Sequence, residues 1–124
     1  MAQTTITKFD VRSMDSPDEQ RKPPKTTVDV VHHEGYTLGR FTFEPGWRWS
    51  ECVKPVVGTD SCQANHLGYA ISGRIAVQLD DGTQKTITAG SSYAIPPGHD
   101  AWVDGDESFI GLEVMSAEHY AKPS

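Results

Sequence analysis

The sequence predicts an all-β domain, a small barrel or sandwich of short strands. Three observations carry that expectation. From Thr26 onward, short runs rich in Val, Ile, Thr and aromatic residues are separated by Gly, Pro and Asp at intervals of about 8–12 residues, the spacing of sandwiches and barrels. Ile75, Val77 and Leu79 alternate with Ala76 and Gln78 and run into Asp81-Gly82, a pair suited to a tight hairpin turn. Between Gly90 and Trp102 a strand is stopped by Pro96-Pro97-Gly98 and restarted, with His99 presented at the bend. Neither proline has an N–H to give a ladder, and Gly98 accepts turn conformations that other residues resist.

The elements follow in order. Residues 4–9 read as a short first strand. Residues 10–25 are polar and interrupted by proline (Pro17, Pro23, Pro24), the composition of a loop or clasp. Strands are expected over residues 27–32, 36–44, 47–53, 66–71, 74–79, 83–88, 92–95, 101–103 and 108–115, with a turn or two of helix over 116–121. The chain thus divides into an N-terminal strand and polar connection (1–25), a barrel (26–116) and a C-terminal tail (117–124).

With 124 residues, 36% hydrophobic and 23% charged, the chain is the size of one globular domain with its own core. No apolar run approaches the ~20 residues that cross a bilayer, so no membrane partner is expected. The stretch Met1 to Lys8 lacks the apolar region and cleavage site of a secretory signal, and a cytoplasmic location is expected. A net charge of −6 with eleven scattered Lys and Arg argues against nucleic acid, which needs a clustered basic surface. Two cysteines, Cys52 and Cys62, are too few for a disulfide framework; they can be buried thiols, metal ligands or a redox pair.

Gly46 and Gly73, the 75–88 hairpin between the two halves, and Gly90 with Pro96-Pro97-Gly98 together resemble the two motifs of the cupin superfamily, over roughly residues 30–114. The resemblance implies a small double-stranded β-helix, a jelly-roll-like barrel with a polar N-terminal extension. It also implies a mouth where metal ligands converge. The ligand positions depart from the family pattern. Cys52 falls at the first histidine's place, Lys54 at the second's and His66 at the glutamate's, with residues 55–62 inserted between. Ala101 occupies the last histidine's place, while His99 lies two residues earlier and so on the same strand face.

A metal site needs three or four donors converging from neighbouring strands. The set on offer is His66, His99, Cys62 and Cys52, and sulfur and nitrogen donors favour zinc over iron or nickel and over oxygen-seeking magnesium or calcium. Such an ion would act as Lewis acid or oxygen activator. The competing reading makes both histidines hydrogen-bonded barrel residues and both cysteines small hydrophobes. Lys54 would repel a dication, so it either swings outward or marks a pocket for an anion such as a carboxylate. Trp102 is the aromatic left at the mouth; Trp47 and Trp49 share the face opposite Cys52 and are assigned to packing or a dimer interface. Asp100, Asp104, Asp106 and Glu107 read as a solvated loop, and His32, His33 and His119 as surface. The expected function is a single-domain cupin with a barrel-mouth pocket that binds or converts a small organic, possibly acidic, metabolite. The alternative is a metal-free binding or regulatory module without catalysis. A homodimer is expected, the N-terminal strand adding to a neighbour's sheet edge.

Overall fold

The computed structural model describes residues 5–118 and 120–122, so His119 and the first residue of the expected N-terminal strand, Thr4, lie outside the described residues. Among the described residues nine strands form two antiparallel sheets: β1 (Glu19–Arg21), β2 (Thr26–His33), β3 (Tyr36–Phe43), β4 (His66–Ser72), β5 (Arg74–Leu79), β6 (Gln84–Thr88), β7 (Ser92–Ile95), β8 (His99–Val103) and β9 (Phe109–Val114). The larger sheet runs β1-β2-β3-β9-β4-β7 and the smaller β6-β5-β8. The all-β, jelly-roll-like architecture is the expected one.

Strands β3, β8 and β9 keep the period of two that a half-buried sheet imposes, whereas β2 and β5 bury consecutive residues. In β9, Phe109, Gly111 and Glu113 are buried while the residues between them are partly exposed; in β8 the inward set is His99, Ala101 and Val103. The core lies between the sheets. Val28, Val30, Phe41, Phe43, Ala70 and Phe109 from the larger sheet meet Ile75, Val77, Ala101 and Val103 from the smaller. The hairpin at Asp81-Gly82 closes as the sequence predicts: Gly82 has φ +94°, and the Thr83 N–H donates to the Asp81 carboxylate at 2.9 Å. Gly73, at φ +77°, is required twice over, because a Cβ there would lie 2.3 Å from the Ser108 carbonyl oxygen.

Three expectations are corrected. Residues 5–9 form no strand, while Glu19–Arg21, inside the stretch read as loop, pairs with β2 as the sheet's edge. Residues 47–53 are not a strand but lead into two short helical turns, α1 (Trp49–Cys52) and α2 (Lys54–Val57). The reason is burial: a strand would send Trp49 and Cys52 to opposite faces, whereas a helical turn, with its i, i+3 neighbours on one side, buries both. Trp47 and Trp49 accordingly sit in the core, the packing alternative of the two expected for them. Trp47 stacks on Phe43 with ring centroids 3.8 Å apart, and its indole N–H donates to Thr26 Oγ1 at 2.9 Å. Asp100 is not part of a solvated loop either. Its carboxylate accepts from the Ser50 amide at 3.1 Å and the Ser50 hydroxyl at 2.9 Å, and pairs with Arg48 at 3.2 Å, so a side chain of β8 caps α1.

Candidate metal centre

The chain between α2 and β4 builds the site. Gly58 ends α2 at φ +79°, and the backbone then runs back beside β8, where Cys62 and His99 form an antiparallel bridge. The Cys62 amide donates to the His99 carbonyl at 2.8 Å and the Gly98 amide to the Cys62 carbonyl at 2.7 Å. Four residues later His66 opens β4 with its ring directed inward. The donor atoms of Cys62, His66 and His99 all lie within 4.8 Å of one another, and all three residues are buried. The 55–62 insertion is what delivers Cys62 to the histidines.

The two imidazoles are each held through Nδ1. His99 Nδ1 lies 2.8 Å from the Pro96 carbonyl oxygen, which only accepts, so this nitrogen carries a proton and Nε2 is the ring atom left for a ligand. The Pro-Pro-Gly corner therefore orients the histidine that follows it. His66 Nδ1 lies 2.6 Å from Glu113 Oε1, and its Nε2 lies 3.9 Å from Cys62 Sγ. Burial raises the Cys62 thiol, but hydrogen bonds and charge from His66 and His99 outweigh it and bring the group down from 9.0 to about 7. Burial lowers His66, and the Glu113 charge with the Cys62 and Glu113 hydrogen bonds reverses this, to about 10.

The group fits a divalent ion on its own chemistry. One thiolate and two imidazoles aimed by outer hydrogen bonds make a three-donor set of the kind that leaves one tetrahedral position open. Cys62 and His66 lie in the wall of a cleft of about 990 Å³, which also takes in Val57, Ile95, Met115 and Tyr120. Among the described residues lining it there is no carboxylate, and Lys122 stands at its edge.

The other expected site residues are placed elsewhere. Cys52 packs in the core beside Trp49 on α1 and does not join the three-donor group. Lys54 begins α2, partly exposed, and is not in the cleft wall, because the helical turn replaces the strand that would have aimed it inward. Trp102 has the opposite parity to His99 and Ala101 on β8; it points away from the cleft and lies under the Arg48 guanidinium, 4.3 Å from its centroid. His32 and His33 are near the surface but paired, with Glu19 at 3.0 Å and Asp10 at 3.2 Å.

Sequence reasoning missed Glu113, Tyr93, Ser116 and Tyr120. Tyr93 Oη donates to Glu113 Oε2 at 2.8 Å and the Ser116 hydroxyl to Oε1. Tyr120 is buried with its ring centroid 5.6 Å from that of His66. A signal existed for Glu113: it is the one charged residue on the inward parity of a strand whose other inward positions are Phe109 and Gly111.

Solved structures share the shape of this chain. A structural-genomics protein of unknown function from Rhizobium leguminosarum bv. viciae superposes with a TM-score of 0.63 at 19% identity, covering 87% of this chain and 96% of its own. The polyketide cyclase RemF from Streptomyces resistomycificus gives 0.61 at 18% identity, covering 86% and 78%. The cupin domain of Schizosaccharomyces pombe Cnp3 gives 0.58 at 16%, covering 82% and 69%. The chain has the cupin fold. Neither protein-family models nor curated protein sequences give a match to it, so the likeness is one of fold. No helix among the described residues is long and apolar enough to cross a membrane.

Proposed function

We propose that the protein is a single-domain cupin in which Cys62, His66 and His99 hold a divalent metal, zinc in preference to iron or nickel, at the wall of a cleft that takes a small organic metabolite. The carrying observation is the convergence of three buried donors within 4.8 Å, with both Nδ1 atoms committed to acceptors away from the group. When bound, the ion supplies Lewis-acid chemistry, polarising a carbonyl or a water at the open position. The chain's own part is to bind and orient. The apolar wall of Val57, Ile95 and Met115 excludes water from one side of a ligand, and a wall that holds Lys122, itself 3.8 Å from Glu19, and no carboxylate among its described residues favours a neutral or acidic ligand in a chain of net charge −6. RemF is a cyclase by name, which is compatible with chemistry at such a cleft.

Metal analysis of protein purified without a histidine tag or chelator tests this. Stoichiometric zinc, lost in His66→Ala, is expected. A metal-free protein whose thermal stability is unmoved by added zinc, iron or nickel overturns it, since a ligand of the native state must stabilise that state. One observation favours a second reading. The line Cys62–His66–Glu113 places a thiol of lowered pKa beside an imidazole oriented by a carboxylate, the arrangement of a thiol nucleophile; stoichiometric alkylation of Cys62 in a protein that never takes up metal would support it instead. A homodimer and a cytoplasmic location remain part of the proposal, the exposed row Leu67, Tyr69 and Ile71 on β4 being the surface a second copy would cover. Light scattering reads the mass.

A further inference from the structure

We propose that Glu113 is the positioning residue of this site. It fixes His66 with Nδ1–H donated to a carboxylate and Nε2 turned towards Cys62, and it places a second negative charge, beside the Cys62 thiolate, next to a dication. This rests on the metal reading above.

Glu113 is only 4% exposed, and an ionised carboxylate taken out of water costs several kcal/mol unless it is fully partnered. Here it is. Three donors reach it from three parts of the chain: His66 Nδ1 from β4 at 2.6 Å, Tyr93 Oη from β7 at 2.8 Å, and the Ser116 hydroxyl from the 3₁₀ turn Ser116–Glu118. An ionised carboxylate only accepts, so each of these hydrogens belongs to the donor, and the His66 proton is thereby assigned to Nδ1.

The strands also make room for this arrangement. A Cβ on Gly68 would lie 2.7 Å from Glu113 Cγ and 2.7 Å from Tyr93 Oη, and one on Gly111 would lie 2.5 Å from Tyr93 Oη. Neither glycine has a positive φ, so what they supply is space and not conformational freedom. Gly68 pairs with Glu113 across β4 and β9, and Gly111 with Ala70 two residues along. Glycine inside a strand weakens it, and two on adjacent strands mark a close approach. The volume they vacate is filled by the tyrosine hydroxyl and the carboxylate.

The two histidines are thus held unequally. His99 gives its Nδ1–H to a neutral carbonyl, His66 to a charged carboxylate, and a carboxylate behind a ligating imidazole both fixes its tautomer and strengthens it as a donor. His66 is therefore the anchor of the group and His99 the weaker arm.

Zinc affinity by chelator competition in wild type and Glu113→Gln, with circular dichroism and metal-free unfolding to establish the fold of each, tests the assignment. Glu113→Gln keeps the shape and removes the charge; its zinc affinity is expected to fall by about 10–100-fold. Wild type that binds zinc together with a folded Glu113→Gln of unchanged affinity overturns the role of Glu113 and leaves the metal reading standing. Wild type that binds no zinc overturns both. A second measurement needs no substitution: in zinc-loaded wild type with 15N-labelled histidine, His66 is expected to be bound through Nε2 with an exchange-protected Nδ1–H. Ligation of His66 through Nδ1 overturns the proposal even if Glu113→Gln fails to fold.

Discussion

His66 and Cys62 show how far a few side chains can alter one another. In metal-free protein carrying Cys52→Ala, the thiolate absorbance of Cys62 is expected to rise with a midpoint near pH 7, not 9.0. The sign follows from the neighbours: burial opposes the thiolate, and the hydrogen bonds and charge of His66 and His99 favour it more strongly. In His66→Ala the midpoint should therefore move upward; a midpoint unchanged by that substitution would show that His66 does not act on the thiol. Gly111 makes a complementary test of packing. Gly111→Ala drives a methyl to within 2.5 Å of Tyr93 Oη, and a loss of about 1–3 kcal/mol on chemical denaturation is expected, the cost of overfilling a close-packed site. The histidines and Cys62 were legible as candidates because their residue types are metal-ligand types. Glu113 was not, because its meaning depends on what stands across the sheet from it.

Two short elements act beyond their length. The α1 turn has no cap of its own, since the Arg48 side chain at its N-cap position does not cap it; Asp100 supplies the cap from β8. Asp100→Ala should cost about 1 kcal/mol in denaturant unfolding, the usual worth of an N-cap, and an unchanged midpoint would mean that the turn is held by its buried Trp49 and Cys52 alone. At the other end of the chain, Arg21 on β1 donates to the carbonyls of Ala117 and Tyr120, both at 2.6 Å, and to that of Glu118 at 3.5 Å. This clamp holds Tyr120 against the site. Arg21→Ala is expected to speed amide exchange over residues 116–122 at least tenfold (about 1.4 kcal/mol) while exchange in β4 and β9 stays the same. The strand pattern was readable wherever apolar residues alternate, as in β5 and β9. It failed at 47–53, where tryptophans two apart imitate alternation, and at β1, whose polar Glu19-Gln20-Arg21 has no apolar face to announce it.

For the whole molecule, a site that ties Cys62, β4 and β8 together should couple metal to global stability. Zinc at 100 times its dissociation constant is expected to add about 2.7 kcal/mol, and a chelator to remove it, read as a shift of the unfolding midpoint. The barrel itself was legible in the chain because local rules suffice for it: hydrophobic period, the Asp81-Gly82 turn, and proline and glycine corners all act within a few residues of themselves. The Pro96-Pro97-Gly98 corner even accounts for how His99 is aimed, through a contact three residues long. The composition of the site obeys no such local rule. Cys52 and Cys62 are equivalent as letters, and so are Lys54 and Lys122. Which cysteine joins the histidines depends on a helical turn that buries one and a return of the chain to β8 that delivers the other; which lysine edges the cleft depends on where the C-terminal segment is clamped. Those contacts span from four residues to nearly a hundred, and only the packing of the two sheets sets them.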